Sequence, residues 1–404
     1  MTLDDKIKKF ILKDLEEKEI NHHTDRFWTN LQNCGTTIWL DTGDMEEALE
    51  VWSSEMEALT TNNTLINKVI QKGIYDDFIP RTQDILESLP RDKKIVETAF
   101  ILNARHGLRL TKKFGGYVSV ELHTDTAHNI DDIVRYALRY RDICPEKFII
   151  KVPYTASGLI GARLLVEKGV RINFTLGFSA RHNVLAANIA RPDFLNVFLG
   201  RIGAYIVDNK IGDGSNIGEK TVLETQKHIS NIRSMLGTRT KLIAASIRHH
   251  TQLELMAGVD VFTIPPKVAG AGKKELSGSF SSRLNEDYIP GLSIDPHQES
   301  MDKFWEVDNK LSKLAKNLGN NLPTTGPQLE DIMRNEGYND MFPILNEEEK
   351  KRISDDGKIP DRSAWMDKLN AGKIAPDTLL NLAGLASFTT DQAALDNRIN
   401  SIIV

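Results

Sequence analysis

A lysine interrupts an apolar run in KFIIKVPYTASG (147–158), where Lys151 follows Phe148, Ile149 and Ile150 and precedes Val152. An amine held in an apolar interior carries a desolvation cost when charged, so it is more readily neutral. A neutral amine is a nucleophile that forms a Schiff base with a ketone or aldehyde. The resulting iminium is an electron sink for cleavage of the neighbouring carbon–carbon bond. Carboxylates and a hydroxyl close by would move the protons this requires. Such groups stand at the ends of other short apolar runs: Asp41 in TTIWLD, Glu121 in YVSVEL, Asn173 and Thr175 in RINFTL, and Ser246 in KLIAASI. Together they make the equipment of a class I aldolase-type reaction, which needs no metal or other cofactor.

The elements that would position these groups alternate along the chain. Apolar runs at 36–41, 60–66, 117–122, 147–153, 171–176, 194–201, 241–247 and 259–265 are each followed by a helical or loop stretch. In the unit that carries Lys151, the helix is expected to start around Ser157 and to stop at Gly169. Strands alternating with helices imply a parallel sheet. About eight such units over roughly 230 residues favour a (β/α)8 TIM barrel over an open sheet. No GxGxxG fingerprint follows the first strand, which further weakens the open-sheet reading. Strand side chains alternate between faces. Val118 and Val120 would face the helices, leaving Ser119 and Glu121 inward; Ile150 and Val152 would leave Lys151 inward. The same reasoning turns Asp41, Thr175 and Ser246 towards the barrel mouth, where barrel active sites sit.

One polar residue at a strand end is ordinarily exposed at a rim, and a Lys–Glu pair across a barrel is more often structural than catalytic. A lysine, two carboxylates, an asparagine and two hydroxyls at successive strand ends argue for chemistry. Arg201 ends FLNVFLGR and Arg248 ends AASIR, so two arginines at adjacent strand ends would clamp a phosphate with Ser246. The His249–His250 pair reads as a loop after a strand, and no HExxH or paired metal spacing occurs.

Outside the barrel, the first 30 residues read as an N-terminal helix and residues from about 270 to 404 mainly as helices and loops. A charged joint at NEEEKKRISDDGKIPDRS (346–363) suggests a barrel unit over 1–345 and a C-terminal helical extension over 346–404, packed on it. The net charge of −5, from 51 basic against 56 acidic residues, excludes the basic excess expected of nucleic-acid or membrane-surface partners. The two cysteines, Cys34 and Cys144, fit a reducing cytosol. The N-terminus is acidic and amphipathic, unlike a signal peptide, and no stretch approaches the roughly 18 apolar residues of a membrane span. A cytoplasmic protein is expected.

The pieces WLDTGD, TTNNTLI, VSVEL, FIIKVPYTASG, INFTLGFS, FLGRI and IAASIR, in that order from about 35 to 266, resemble the strand-end motifs of transaldolase. The tail FTTDQAALDNRINSII (388–403) resembles that family's terminal helix, which packs near the active site. The resemblance implies Lys151 as the Schiff-base lysine and Asp41 and Glu121 as proton-handling carboxylates. It implies that Glu121 and Thr175 position the catalytic water. It places Asn62, Asn173 and Phe198 along the substrate channel, and Arg201, Ser246 and Arg248 on the phosphate. The implied reaction moves a dihydroxyacetone unit from sedoheptulose 7-phosphate or fructose 6-phosphate to an aldose phosphate, in the non-oxidative pentose phosphate pathway.

This chain departs from the family pattern at two points. Asn196–Val197 stands where family members commonly have Ser-Pro, so Asn196 takes the place of a serine that contacts the sugar. Asn63 stands where proline is usual, which is expected to loosen the turn. The segment before the terminal helix is also longer than in compact members and fits either a homo-oligomer contact or a lid. Two other readings compete. In a fructose-6-phosphate aldolase, which needs no acceptor, glutamine tends to stand at Glu121 and tyrosine at Phe198. A non-catalytic sugar-phosphate-binding barrel would not need Lys151, Glu121 and Asp41 together.

Overall fold

The computed structural model describes residues 1–403. Among them, eight parallel strands close into a barrel in sequence order: β1 (Thr37–Leu40), β2 (Met56–Thr60), β3 (Tyr117–Glu121), β4 (Phe148–Pro153), β5 (Ile172–Thr175), β6 (Phe194–Phe198), β7 (Lys241–Ala245) and β8 (Val261–Ile264). β8 pairs with β1 and completes the ring. The protein is therefore a (β/α)8 barrel with a helical C-terminal extension, as the alternation of apolar runs and helices predicts.

The barrel interior confirms the strand parity. Trp39 and Phe194, on the non-adjacent strands β1 and β6, meet edge to face across the interior with ring centroids 4.6 Å apart. The outer face is equally clear. A Cβ on Gly107, in the helix Arg91–Phe114, would come within 2.9 Å of Val120 Cγ1 and 3.0 Å of Phe148. Glycine therefore lets this helix lie directly on the outward residues of β3 and β4. Ser119, Glu121, Ile149 and Lys151 are left facing inward.

Several local expectations change. The N-terminal segment forms two helices, Leu3–Leu12 and Arg26–Gln32, with no regular structure between them. The helix after β4 is capped two residues before Ser157: Thr155 Oγ1 accepts from the Gly158 amide at 2.8 Å and caps Ala156–Glu167. Ser157 instead donates from Oγ to the His128 carbonyl. The apolar run 194–201 is not all strand, because the helix Leu199–Asp208 begins immediately after Phe198. Arg201 therefore belongs to a helix and not to a strand end. At the Asn63 turn, Asn62 caps the helix Asn63–Gln71, and Asn63 is buried and donates to Gln392 at 2.7 Å.

The charged joint at 346–363 begins with a ten-residue helix, Glu347–Asp356, started by a capping box between Asn346 and Glu349. This helix packs against the terminal helix Pro376–Ile402. The terminal helix also contacts the helices Asn63–Gln71 and Arg91–Phe114. Its first turn is fixed from below. Arg181 grips Asp377 with two hydrogen bonds of 2.7 and 2.6 Å and binds Asp340 at 2.6 Å. Both cysteines are free, and no described helix is long and apolar enough to cross a membrane.

Candidate active site

The carboxyl ends of the strands open into a cavity of about 140 Å³, lined by Asp41, Asn62, Lys151, Asn173, Asn196, Phe198, Arg201 and Ser246 among others. Lys151 forms part of this wall. β3, β4 and β5 align Glu121 with Lys151 and Lys151 with Asn173, so the amine has a carboxylate on one side and an amide on the other. Lys151 is buried at 2% exposure. Its Nζ donates to the Thr61 carbonyl at 3.2 Å and forms an ion pair with Glu121 Oε2 at 3.5 Å. Thr61 is itself fixed to β3, because its amide and hydroxyl both donate to the Ser119 carbonyl at 3.0 and 2.8 Å.

The two carboxylates differ in setting. Burial pushes the Glu121 carboxyl above the usual carboxylate range, against the opposing charge of Lys151. The 3.5 Å separation makes this contact an ion pair and not a tight hydrogen bond. Glu121 Oε2 accordingly has no hydrogen-bond partner among the described residues. Asp41 keeps a partly open face to the cavity, yet burial pushes its carboxyl up to about 6, with Lys151 and then Arg201 pulling the other way. Thr175 lies two residues beyond Asn173 at the end of β5. It is fully buried, and its hydroxyl has no partner among the described residues. Glu121 and Thr175 are absent from the cavity wall and stand behind it. Partnerless buried oxygens of this kind are characteristic places for an ordered water.

Amides cross the floor in a chain. Asn196 Nδ2 donates to Asn173 Oδ1 at 3.0 Å, and Asn173 Nδ2 donates to Ser119 Oγ at 3.0 Å. This uses the donor of Asn196 and leaves its Oδ1 without a partner among the described residues. Asn62 uses its Oδ1 to cap the following helix at 2.8 Å from the Leu65 amide.

The basic end of the cavity departs from strand parity. Ile243 and Ala245 are the inward residues of β7, so Ser246 is out of phase with them. A left-handed backbone at Ser246, with φ of +63°, breaks the alternation and brings this residue into the wall as well. Arg201 is buried, its Nη1 is unpartnered among the described residues, and burial followed by the charge of Arg248 lowers it to about 10. Arg248 is exposed and lies outside the cavity wall, so the expected pair is one inner arginine and one outer arginine. Its backbone amide is held by Gln252 Oε1 at 2.8 Å.

Thr60, Thr263, Phe388 and Lys358 are among the further residues that reach the cavity. Thr60 and Thr263 are joined by a hydrogen bond of 3.1 Å. Phe388, on the terminal helix, lies 5.9 Å from Lys151 Nζ and 5.5 Å from the Arg201 guanidinium, measured from its ring centre. Lys358 comes from the loop after the helix Glu347–Asp356. Phe388 stands at the head of the tail that resembles a family helix. Lys358 lies in a charged joint whose composition gives no sign of its position.

A buried amine between a carboxylate and an amide, all at the carboxyl ends of the strands of a closed parallel barrel, stands at the face where (β/α)8 enzymes carry their active sites. The chain belongs to the transaldolase/fructose-6-phosphate aldolase family, whose sequence model matches residues 38–320. Curated relatives include a transaldolase of Chlamydia felis, 27% identical over 292 residues that span 69% of this chain and 87% of the relative. A transaldolase of Xanthomonas euvesicatoria pv. vesicatoria is 28% identical over 283 residues, spanning 65% of this chain and 86% of the relative. A transaldolase of Xanthomonas oryzae pv. oryzae is 29% identical over 283 residues, with 65% and 86% covered.

Proposed function

We propose that this protein is a transaldolase that carries a dihydroxyacetone unit from a ketose phosphate to an aldose phosphate as a Schiff base on Lys151. The observation that carries this reading is the burial of the Lys151 amine 3.5 Å from Glu121 in the wall of a polar cavity. The amine adds to the ketose C2 carbonyl, and the carbinolamine loses water to give an iminium. Asp41 takes the proton of the C4 hydroxyl as the C3–C4 bond breaks and its electrons move into the iminium. The aldose phosphate departs and leaves an enamine on Lys151. An acceptor aldehyde then adds to the enamine, Asp41 returns the proton to the new alkoxide, and water releases the product ketose. Glu121 and Thr175 position the water that is lost and regained. Asn62, Asn173, Asn196 and Phe198 hold the carbon chain, and Arg201, Ser246 and Arg248 hold the phosphate.

This activity belongs in the cytoplasmic pentose phosphate pathway, with sugar phosphates as the partners. Reduction with borohydride in the presence of fructose 6-phosphate tests it. The expected product is a reduced three-carbon adduct on Lys151, found by mass spectrometry. Folded protein that gives no adduct with several ketose phosphates would move the binding-barrel reading to the front. The family name covers a second reaction as well. Release of free dihydroxyacetone from fructose 6-phosphate, with no dependence on an acceptor, would favour the aldolase.

A further inference from the structure

The basic end of the cavity carries a cation that the family match does not cover. Lys358 lines the cavity together with Arg201 and Ser246, and Arg248 stands outside at the rim. The match to the family ends at residue 320, so the segment that supplies Lys358 lies beyond it. The loop is held in place. The Pro360 carbonyl accepts from Asn209 Nδ2 at 3.1 Å, and Asn209 Oδ1 accepts from the Arg362 amide at 2.7 Å. Behind it, the helix Glu347–Asp356 rests on the terminal helix.

Among the described residues, Arg201, Arg248 and Lys358 each lack a carboxylate within ion-pair distance, whereas Lys151 and Arg181 both have one. Asp391, on the terminal helix, attracts both Lys358 and Arg201, and Arg201 is also attracted by Glu121 and Asp41. Asp391 is already engaged by the Thr64 hydroxyl. Burial lowers the proton affinity of Lys358, and the charges of Arg201, Lys68 and Arg248 lower it further. Like charges gathered around a partly enclosed cavity repel one another and attract an anion into it.

We propose that Lys358 is a third cation for the substrate phosphate, acting with Arg201, Ser246 and Arg248 to set the preference for phosphorylated over unphosphorylated sugars. This inference rests on the sugar-phosphate reading of the cavity. Lys358 is a binding residue contributed by the extension, and it touches none of the reacting carbons. Its loop closes the basic end of the cavity over the phosphate, so the long segment before the terminal helix has a part in substrate selection.

Calorimetric titration with inorganic phosphate tests this without any need for turnover. Lys358→Met should weaken phosphate binding about fivefold, as expected for a solvent-accessible ion pair, while Lys358→Arg should stay within about twofold of wild type. Lys351→Met, which removes an exposed charge on the adjacent helix, should change nothing. With substrate, Lys358→Met should raise KM for fructose 6-phosphate by a similar factor, leave kcat unchanged and leave any turnover of fructose unaffected. The proposal is overturned if Lys358→Met binds phosphate as wild type does, if Lys351→Met weakens it equally, or if the wild-type protein takes up no phosphate. A protein without aldol chemistry that still shows the Lys358 effect would refute the proposed reaction and leave this inference standing.

Discussion

Lys151 Nζ lies 3.5 Å from Glu121 Oε2, and both side chains are 3% exposed. The pair forms because two inward positions on neighbouring strands fall in register. Removing one partner of a buried pair leaves an uncompensated charge. Lys151→Met should abolish turnover and borohydride trapping. Glu121, already raised by burial, would then lose the opposing charge that favours its ionised form. A carboxyl raised in the folded state contributes stability at low pH that is lost as pH rises through its folded value. Lys151→Met should therefore melt closer to wild type at pH 5 than at pH 8. An equal gap to wild type at both would show that Glu121 does not change its ionisation between them.

Asp41 is pushed up to about 6 and is the proposed acceptor of the C4 hydroxyl proton. It can accept that proton only when ionised. The kcat/KM profile should fall as pH drops through about 6, since the profile reports the free enzyme. Asp41→Asn should remove most of the activity and, in what remains, this acid limb. An unchanged limb in the variant would assign it to another group.

Asn196 spends its amide donor on Asn173 and presents a free Oδ1. Asn196→Ala removes both, and loss of one hydrogen bond to substrate corresponds to about a tenfold fall in kcat/KM. Asn196→Ser restores a shorter polar group. Its ratio of kcat/KM for sedoheptulose 7-phosphate over fructose 6-phosphate should shift from the wild-type value. An unchanged ratio would show that this position does not read the donor.

Asp377 fastens the terminal helix to Arg181. Burial alone would raise its carboxyl, but the Arg181 charge and hydrogen bonds hold it well below the usual range. A depressed carboxylate contributes stability that is present above its unfolded value and lost as pH falls through its folded value. Asp377→Asn should cost about 3 kcal/mol at neutral pH, as for a broken buried pair. The gap to wild type should narrow on acidification. Denaturant unfolding at neutral and acidic pH would measure both effects, and a gap that stays constant would mean the pair adds no pH-dependent stability.

Much of the site was legible because a strand repeats every two residues. The apolar members of VSVEL and FIIKVP fix which way Glu121 and Lys151 point, whatever encloses them. Ser246 shows where that logic stops. Its cavity position comes from a left-handed residue just past the strand and not from alternation. Arg201 shows another limit, since FLNVFLGR reads as one strand but turns into a helix after Phe198. Nothing in the residue pattern marks that change, because the same apolar residues suit either element.

The sequence by itself determined the barrel, its strand order and the inward lysine, because these follow from local periodicity and from helices that alternate with strands. Tertiary structure decided which distant side chains complete the cavity. Phe388 lies over Lys151, and Lys358 stands beside Arg201, more than 150 positions away along the chain. Their places depend on how the terminal helix is fastened by Asp377, Asn63 and the helix Glu347–Asp356. Those contacts join residues far apart in sequence, and no periodicity within one segment can encode them.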